Sequence, residues 1–130
     1  MTLPCVRLSH DESEQLLAAS NVECDPYDHM SWVISAYFHP EVDDADSISF
    51  DHAILTDGRI ILMSVLNCES AHFIETFACF ICSTTAAALE TAREMVAEAR
   101  DWFQNNPNHF DVEDNTNEWI VQVQRDLAPE

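Results

Sequence analysis

The sequence predicts an α+β domain over residues 1–130, with an antiparallel sheet of about four to five strands, one long helix packed on one face and a short N-terminal helix. Apolar and polar residues alternate from Met30 to Phe38, which is typical of a strand. Two apolar segments flank the only glycine of the chain, Gly58. Apolar residues at 3–4 spacing follow Thr85, as on a helix that covers a sheet.

A capping box predicts the N-terminal helix. Ser9 and Glu12 stand three residues apart, so that each side chain can bond the other's backbone N–H. The helix is expected from about Ser9 to Ser20, with Leu16 and Leu17 buried.

The strands are expected as an antiparallel meander. The segment Glu41–Ser47 is predicted as an acidic loop. Asp57 and Gly58 are expected to form a two-residue turn with positive φ at both positions. The four strands are Met30–Phe38, Ile48–Leu55, Arg59–Leu66 and Ala71–Cys82.

The long helix is expected over about Thr85 to Gln104. Its core stripe consists of Leu89, Ala92, Val96, Ala99 and Phe103. A polar loop is expected over Asp111–Glu118. The sequence does not decide whether residues 118–127 form a strand or a helix. Apolar and polar residues alternate from Trp119 to Val123 as in a strand, whereas Ile120, Val123 and Leu127 also fit a helix.

The charge of the chain is its most unusual property. Asp and Glu number 24 against five bases, all of them arginine, for a net charge of −19. Hydrophobic residues make up 47% of the chain, which argues against an acidic disordered segment. The retained Phe and Ile content disfavours salt adaptation, the other common source of acidic proteins. Such a surface repels nucleic acid and anionic membranes and attracts basic proteins.

The five cysteines are an odd number, and neither a secretory leader pattern nor a membrane-spanning apolar run accompanies them. We therefore expect a cytoplasmic protein whose cysteines are all free. The spacing of Cys79 and Cys82 resembles a redox pair. On a strand, however, these two residues face opposite ways, which favours buried structural thiols.

Patterns for catalysis or cofactor binding are weak. The sequence has no Gly-rich phosphate loop and no nucleophile elbow, and its one glycine belongs to a hairpin. Cys68 with His72 is the best zinc candidate, but it lacks a second ligand pair. We expect no enzymatic activity, no cofactor and no metal.

Two groups of acids are the candidate partner-binding residues. Glu90, Glu94, Glu98 and Asp101 recur on one helix face, where like charges at i,i+4 cost a few tenths of a kcal/mol each. Arg93 and Arg100 interrupt this face, and an ordinary solvated face is the alternative. Asp43, Asp44 and Asp46 form the second group. Trp102 or Tyr27 is a candidate aromatic anchor, with core packing as the alternative for Trp102.

In size, net charge and rows of acids such as Glu90, Glu94 and Glu98, the chain resembles the DNA-mimic inhibitors of phages and mobile elements, of anti-CRISPR and anti-restriction type. The resemblance is compositional and transfers no binding residue. It implies a non-enzymatic inhibitor in the host cytoplasm that occupies a basic, nucleic-acid-binding surface of a defence or DNA-processing protein. It implies no direct binding to nucleic acid. The alternatives are an immunity or antitoxin-like protein that neutralises a basic nuclease toxin, and an uncharacterised enzyme or metal protein.

Overall fold

The computed structural model describes residues 4–21, 24, 32–39, 42–69, 72–105 and 110–127. Its strands are β1 (Cys5–Arg7), β2 (Val33–His39), β3 (Val42–Ile54), β4 (Ile60–Cys68), β5 (Phe73–Cys82) and β6 (Phe110–Asp114). Its helices are α1 (His10–Ser20), α2 (Thr85–Gln104) and α3 (Thr116–Leu127). The strands form one antiparallel sheet in the order β1-β5-β4-β3-β2-β6.

The predicted fold class is wrong in its elements. The described residues form a six-stranded antiparallel sheet with three helices, in place of four to five strands with one long and one short helix. The additional strands β1 and β6 are short and lie at the two edges of the sheet. β1 pairs with β5 and β6 pairs with β2, and both partners are distant in the sequence. No local sequence pattern predicts such a pairing.

The capping box at the start of α1 is confirmed. The Ser9 hydroxyl accepts from the Glu12 backbone N–H at 3.1 Å, and the Glu12 carboxylate accepts from the Ser9 N–H at 3.0 Å. These bonds hold the pKa of Glu12 below its ordinary value. The helix ends at Ser20, and its cap residue, Asn21, adopts the left-handed conformation common at helix C-termini.

The β3–β4 connection differs from the predicted two-residue turn. Gly58 has a φ of 88°, but Asp57 is not among the residues with positive φ. The Gly58 N–H donates to the Leu55 carbonyl at 2.9 Å, and the Leu55 N–H donates to the Arg59 carbonyl at 2.7 Å. The loop is therefore a three-residue connection in which only the glycine needs the left-handed region.

The segment predicted as an acidic loop belongs to β3 from Val42 onward. It pairs on both sides, with Ala36 and Cys68 both opposite Asp46. Carboxylate side chains have low strand propensity, but pairing with two neighbouring strands outweighs that local preference.

The predicted polar loop Asp111–Glu118 is also wrong. Its first part lies in β6, which pairs with β2, and its last part begins α3. Residues 118–127 are helical, because Trp119, Val123 and Leu127 recur at i,i+4 and are all buried.

The sheet carries a hydrophobic cluster on each face. α2 and α3 cover one face, where Phe50, Leu62 and Trp119 are fully buried. α1 covers part of the other face, with Leu16 and Leu17 half-buried against Ile61 and Cys79. None of the helices described is long and apolar enough to cross a membrane.

Candidate functional site

The outer face of α2 carries a row of carboxylates. The side chains of Glu90, Glu94, Glu98 and Asp101 are all exposed, and we call these four residues the acidic stripe. At 100° per residue they fall within about a quarter of the helix circumference. The opposite side of α2 is buried on the sheet, and it consists of Ala88, Thr91, Ala92, Met95, Val96, Ala99 and Phe103.

One of the two basic side chains on α2, that of Arg100, is engaged elsewhere. Nε of Arg100 donates to Oδ2 of Asp114 at 2.7 Å, and its terminal nitrogen donates to Thr116 at 3.0 Å and to Asn117 at 3.2 Å. These contacts tie α2 to the junction of β6 and α3. Within the described part of the chain, no ion pair joins a carboxylate of the acidic stripe to a cation.

The junction held by Arg100 shifts the ionisation of Asp114. Partial burial alone would raise the pKa of Asp114, but the hydrogen bonds from Arg100 and Thr116 outweigh it and hold that pKa below its ordinary value of 3.8. The carboxylate of Asp114 also accepts from the Thr116 backbone N–H at 2.9 Å, at the first turn of α3. Arg100 and Asp114 are thus part of the framework that supports α2.

Of the second group of candidate acids, the structure describes only the side chain of Asp46. Asp46 is only 5% exposed, next to Cys68, so its assignment as a surface contact is wrong. Burial first, and then the neighbouring Asp46 carboxylate, raises the pKa of Cys68 to about 11. Asp43 and Asp44 lie on β3, but their side chains are outside the described part of the structure.

Trp102 is half-buried and packs against the core beneath α2. Its ring meets that of Phe103 edge-on, with 4.9 Å between the ring centroids. Part of the Trp102 side chain is therefore used in core packing, which was the alternative to its role as an aromatic anchor. Tyr27 lies outside the described residues.

The expectation of five free cysteines is wrong. Cys5 and Cys82 form a disulfide between directly paired positions of β1 and β5, with Cα atoms 4.1 Å apart. Cys24, Cys68 and Cys79 carry thiols. Cys79 and Cys82 do face opposite sides of the sheet, since they belong to different core clusters. They are consequently not a dithiol pair.

The sequence analysis did not identify His52, a polar residue buried between the sheet and α3. His52 on β3 has a side chain only 5% exposed, and its Nε2 lies 2.7 Å from Oδ2 of Asp126 on α3. The Trp119 indole N–H donates to its Nδ1 at 3.1 Å. Both ring nitrogens are occupied, so this His–Asp pair offers no free lone pair for proton abstraction. No spacing in the sequence links these three residues.

Within the described ranges, no group of three or more His, Cys, Asp or Glu side chains is placed to hold a metal ion. Cys68, one half of the zinc candidate, is buried, whereas His72 is exposed. Among the candidate residues taken from the sequence, the acidic stripe is the group whose side chains are all exposed.

Comparison with known proteins adds no family to this description: no family model, no curated protein and no solved structure matches the chain.

Proposed function

We propose that the protein is a non-enzymatic inhibitor that docks its acidic stripe into a basic, nucleic-acid-binding groove of a defence or DNA-processing protein. The observation that carries the proposal is that all four carboxylates of the acidic stripe are exposed. The side chain of Arg100, on the same helix, donates instead to Asp114 on β6. The carboxylates of the stripe are thus available to a cationic partner.

The spacing of the stripe suits this role. Glu90, Glu94 and Glu98 repeat every four residues, or about 6 Å along the helix axis, and the whole stripe extends over about 16 Å. A regular row of negative charge on a rigid rod resembles a nucleic-acid backbone in what it offers to arginine and lysine. Because α2 is anchored on the sheet by seven buried side chains, little conformational entropy is lost when the stripe binds.

The energetics of α2 also favour an interaction role. Neighbouring carboxylates at i,i+4 repel each other, and Asp101 lies near the negative C-terminal end of the helix dipole. Alternating charges would stabilise the same exposed face better. The global charge adds long-range attraction: 7666 Å² of accessible surface and a net charge of −19 correspond to about 400 Å² per net negative charge.

Affinity capture with a matched control tests the proposal. The stripe variant carries Glu90→Gln, Glu94→Gln, Glu98→Gln and Asp101→Asn. The control variant carries Asp11→Asn, Glu75→Gln, Glu113→Gln and Glu118→Gln, which removes the same charge from exposed positions elsewhere. Each protein is immobilised and exposed to a lysate of its host, and bound proteins are identified by mass spectrometry.

We expect the parent protein and the control variant to retain the same basic nucleic-acid-binding protein, and the stripe variant to lose it. Equal capture by the stripe variant, with its fold verified by circular dichroism, would place the contact outside the stripe. If both variants lost the captured protein equally, binding would depend on net charge alone and not on the acidic stripe.

A further inference from the structure

The disulfide between Cys5 and Cys82 joins the edge strand β1 to the rest of the sheet. β1 has three residues and, among the strands that the structure describes, pairs only with β5. Two backbone hydrogen bonds flank it: the Leu8 N–H donates to the Cys79 carbonyl at 2.8 Å, and the Ser83 N–H donates to the Pro4 carbonyl at 2.8 Å. A strand this short gains little stability from its own backbone pairing, so the covalent link is a large part of what holds it.

The two sulfur atoms differ in their surroundings. Cys82 is completely buried, whereas Cys5 is half-buried at the edge of the sheet. The Thr91 hydroxyl on α2 donates to Sγ of Cys5 at 3.2 Å. Cys5 is therefore the more accessible of the two cysteines to an incoming thiolate, and the Thr91 hydroxyl can stabilise negative charge on Sγ of Cys5 when that sulfur is released.

Two of the three remaining cysteines, Cys68 and Cys79, are poorly suited to attack this disulfide. Burial raises the pKa of Cys79 to about 11, an effect only partly offset by a hydrogen bond with Ser13. Cys79 also faces the opposite side of the sheet from Cys82. The pKa of Cys68 is about 11 as well. Both are almost entirely protonated near neutral pH, which favours reaction with an external thiol over internal exchange.

We propose that the Cys5–Cys82 disulfide is a redox latch, which an external dithiol reductant opens to release β1 from β5 and from the flank of α2. This inference does not depend on the proposed function. One thiolate of the reductant attacks Sγ of Cys5, the Cys5–Cys82 bond breaks, and its electron pair goes to Sγ of Cys82, which takes up a proton.

The second reductant thiolate then attacks the reductant sulfur of the mixed disulfide at Cys5. The reductant leaves as its own disulfide, and Cys5 is released as a thiolate that Thr91 stabilises until it is protonated. In total, two electrons and two protons pass from the reductant to the protein. An oxidised dithiol of the same class reverses both steps and closes the latch.

Thiol counting provides the first test. Denatured without reductant, the protein is expected to present three alkylatable thiols, at Cys24, Cys68 and Cys79, and five after reduction. Five alkylated thiols without reductant, in protein purified under air with thiols blocked at lysis, would mean that no latch is formed.

Hydrogen exchange of the folded protein provides the second test, with dithiothreitol as the probe. The Leu8 and Ser83 amides report on β1, and the Leu55 amide in the β3–β4 connection is the internal control. We expect reduction to speed exchange at Leu8 and Ser83 by about tenfold or more, with Leu55 unchanged. Unchanged rates at Leu8 and Ser83 would overturn the latch, and an equal rise at all three amides would indicate a general staple of the fold.

Single-cysteine variants complete the test. Cys5→Ser should exchange at the fast Leu8 and Ser83 rates in both redox states, whereas Cys24→Ser should respond to dithiothreitol like the parent protein. If Cys5→Ser fails to fold, the reduced parent protein supplies the open state for the same comparison. A Cys5→Ser protein that still slows at Leu8 and Ser83 on removal of the reductant would contradict the proposal.

Discussion

The indole N–H of Trp119 donates to Nδ1 of His52 at 3.1 Å, while Nε2 of the same imidazole lies 2.7 Å from a carboxylate oxygen of Asp126. Trp119 and Asp126 both belong to α3, and His52 belongs to the central strand β3. One buried side chain on the sheet therefore holds the helix at two points about two turns apart. Because Trp119 can only donate, the arrangement also dictates where the proton of His52 resides.

The first prediction concerns that proton. His52 should carry its proton on Nε2, since Nδ1 must accept from Trp119. Two-bond ¹H–¹⁵N correlation spectra of the imidazole identify the tautomer. In Trp119→Phe, which removes the donor but keeps an aromatic ring, this preference should weaken. A proton found on Nδ1 in the parent protein would contradict the arrangement.

The second prediction concerns Arg100, which joins α2 to β6 and α3 through three side-chain partners. Arg100→Ala should lower the free energy of unfolding by about 1 kcal/mol, a modest value because Arg100 and Asp114 remain partly exposed to solvent. Arg93→Ala, an exposed position on the same helix, serves as the control and should change stability much less. Urea titrations of the three proteins provide the comparison, and equal effects would contradict a special role for Arg100.

The third prediction gives the pH dependence of that contact. The pKa of Asp114 is lower in the folded protein than its ordinary value of 3.8. A depressed carboxyl pKa contributes stability above the unfolded-state pKa, and that contribution is lost as the pH falls through the folded-state value. The stability difference between the parent protein and Asp114→Asn should therefore be constant from pH 7 to about pH 5 and shrink below about pH 4. A difference that grows on acidification would reverse the assigned sign.

The fourth prediction concerns self-repulsion of the surface. Raising NaCl from ~20 mM to ~300 mM shortens the Debye length from ~20 Å to ~6 Å, so the melting temperature should rise. The variant in which the acidic stripe is neutralised should show a shallower rise, because part of the repulsion is already removed. A melting temperature that falls with salt would show that the carboxylates are paired with cations in the folded protein.

Local signals were enough to predict some elements. The capping box needs only Ser9 and Glu12 at the right spacing, and both of its hydrogen bonds are present. Gly58 correctly marked a hairpin, but the turn type was wrong because a two-residue and a three-residue loop share the same Asp-Gly pair. The exposure of Glu90, Glu94 and Glu98 followed from the position of the apolar stripe on α2.

Interactions between distant segments were not predictable in the same way. β6 is an acidic stretch that becomes a strand only by pairing with β2, and Asp46 is buried because β3 has a partner on each side. The disulfide joins cysteines separated by 77 residues, and nothing in their local sequence marks them as partners. Arg100 was predicted to interrupt the acidic face of α2, whereas its side chain hydrogen-bonds to Asp114 on β6 and Thr116 on α3.

Competition with nucleic acid tests the central claim most directly. The basic protein retained by affinity capture is loaded with a fluorescently labelled nucleic acid that it binds, and the acidic protein is titrated in while anisotropy is recorded. We predict complete release of the label, weaker competition as salt rises, and little release by the stripe variant at the same concentrations. If instead the label stays bound at saturating acidic protein, and gel filtration shows a ternary complex, the stripe does not occupy the nucleic-acid site and the proposed function is wrong.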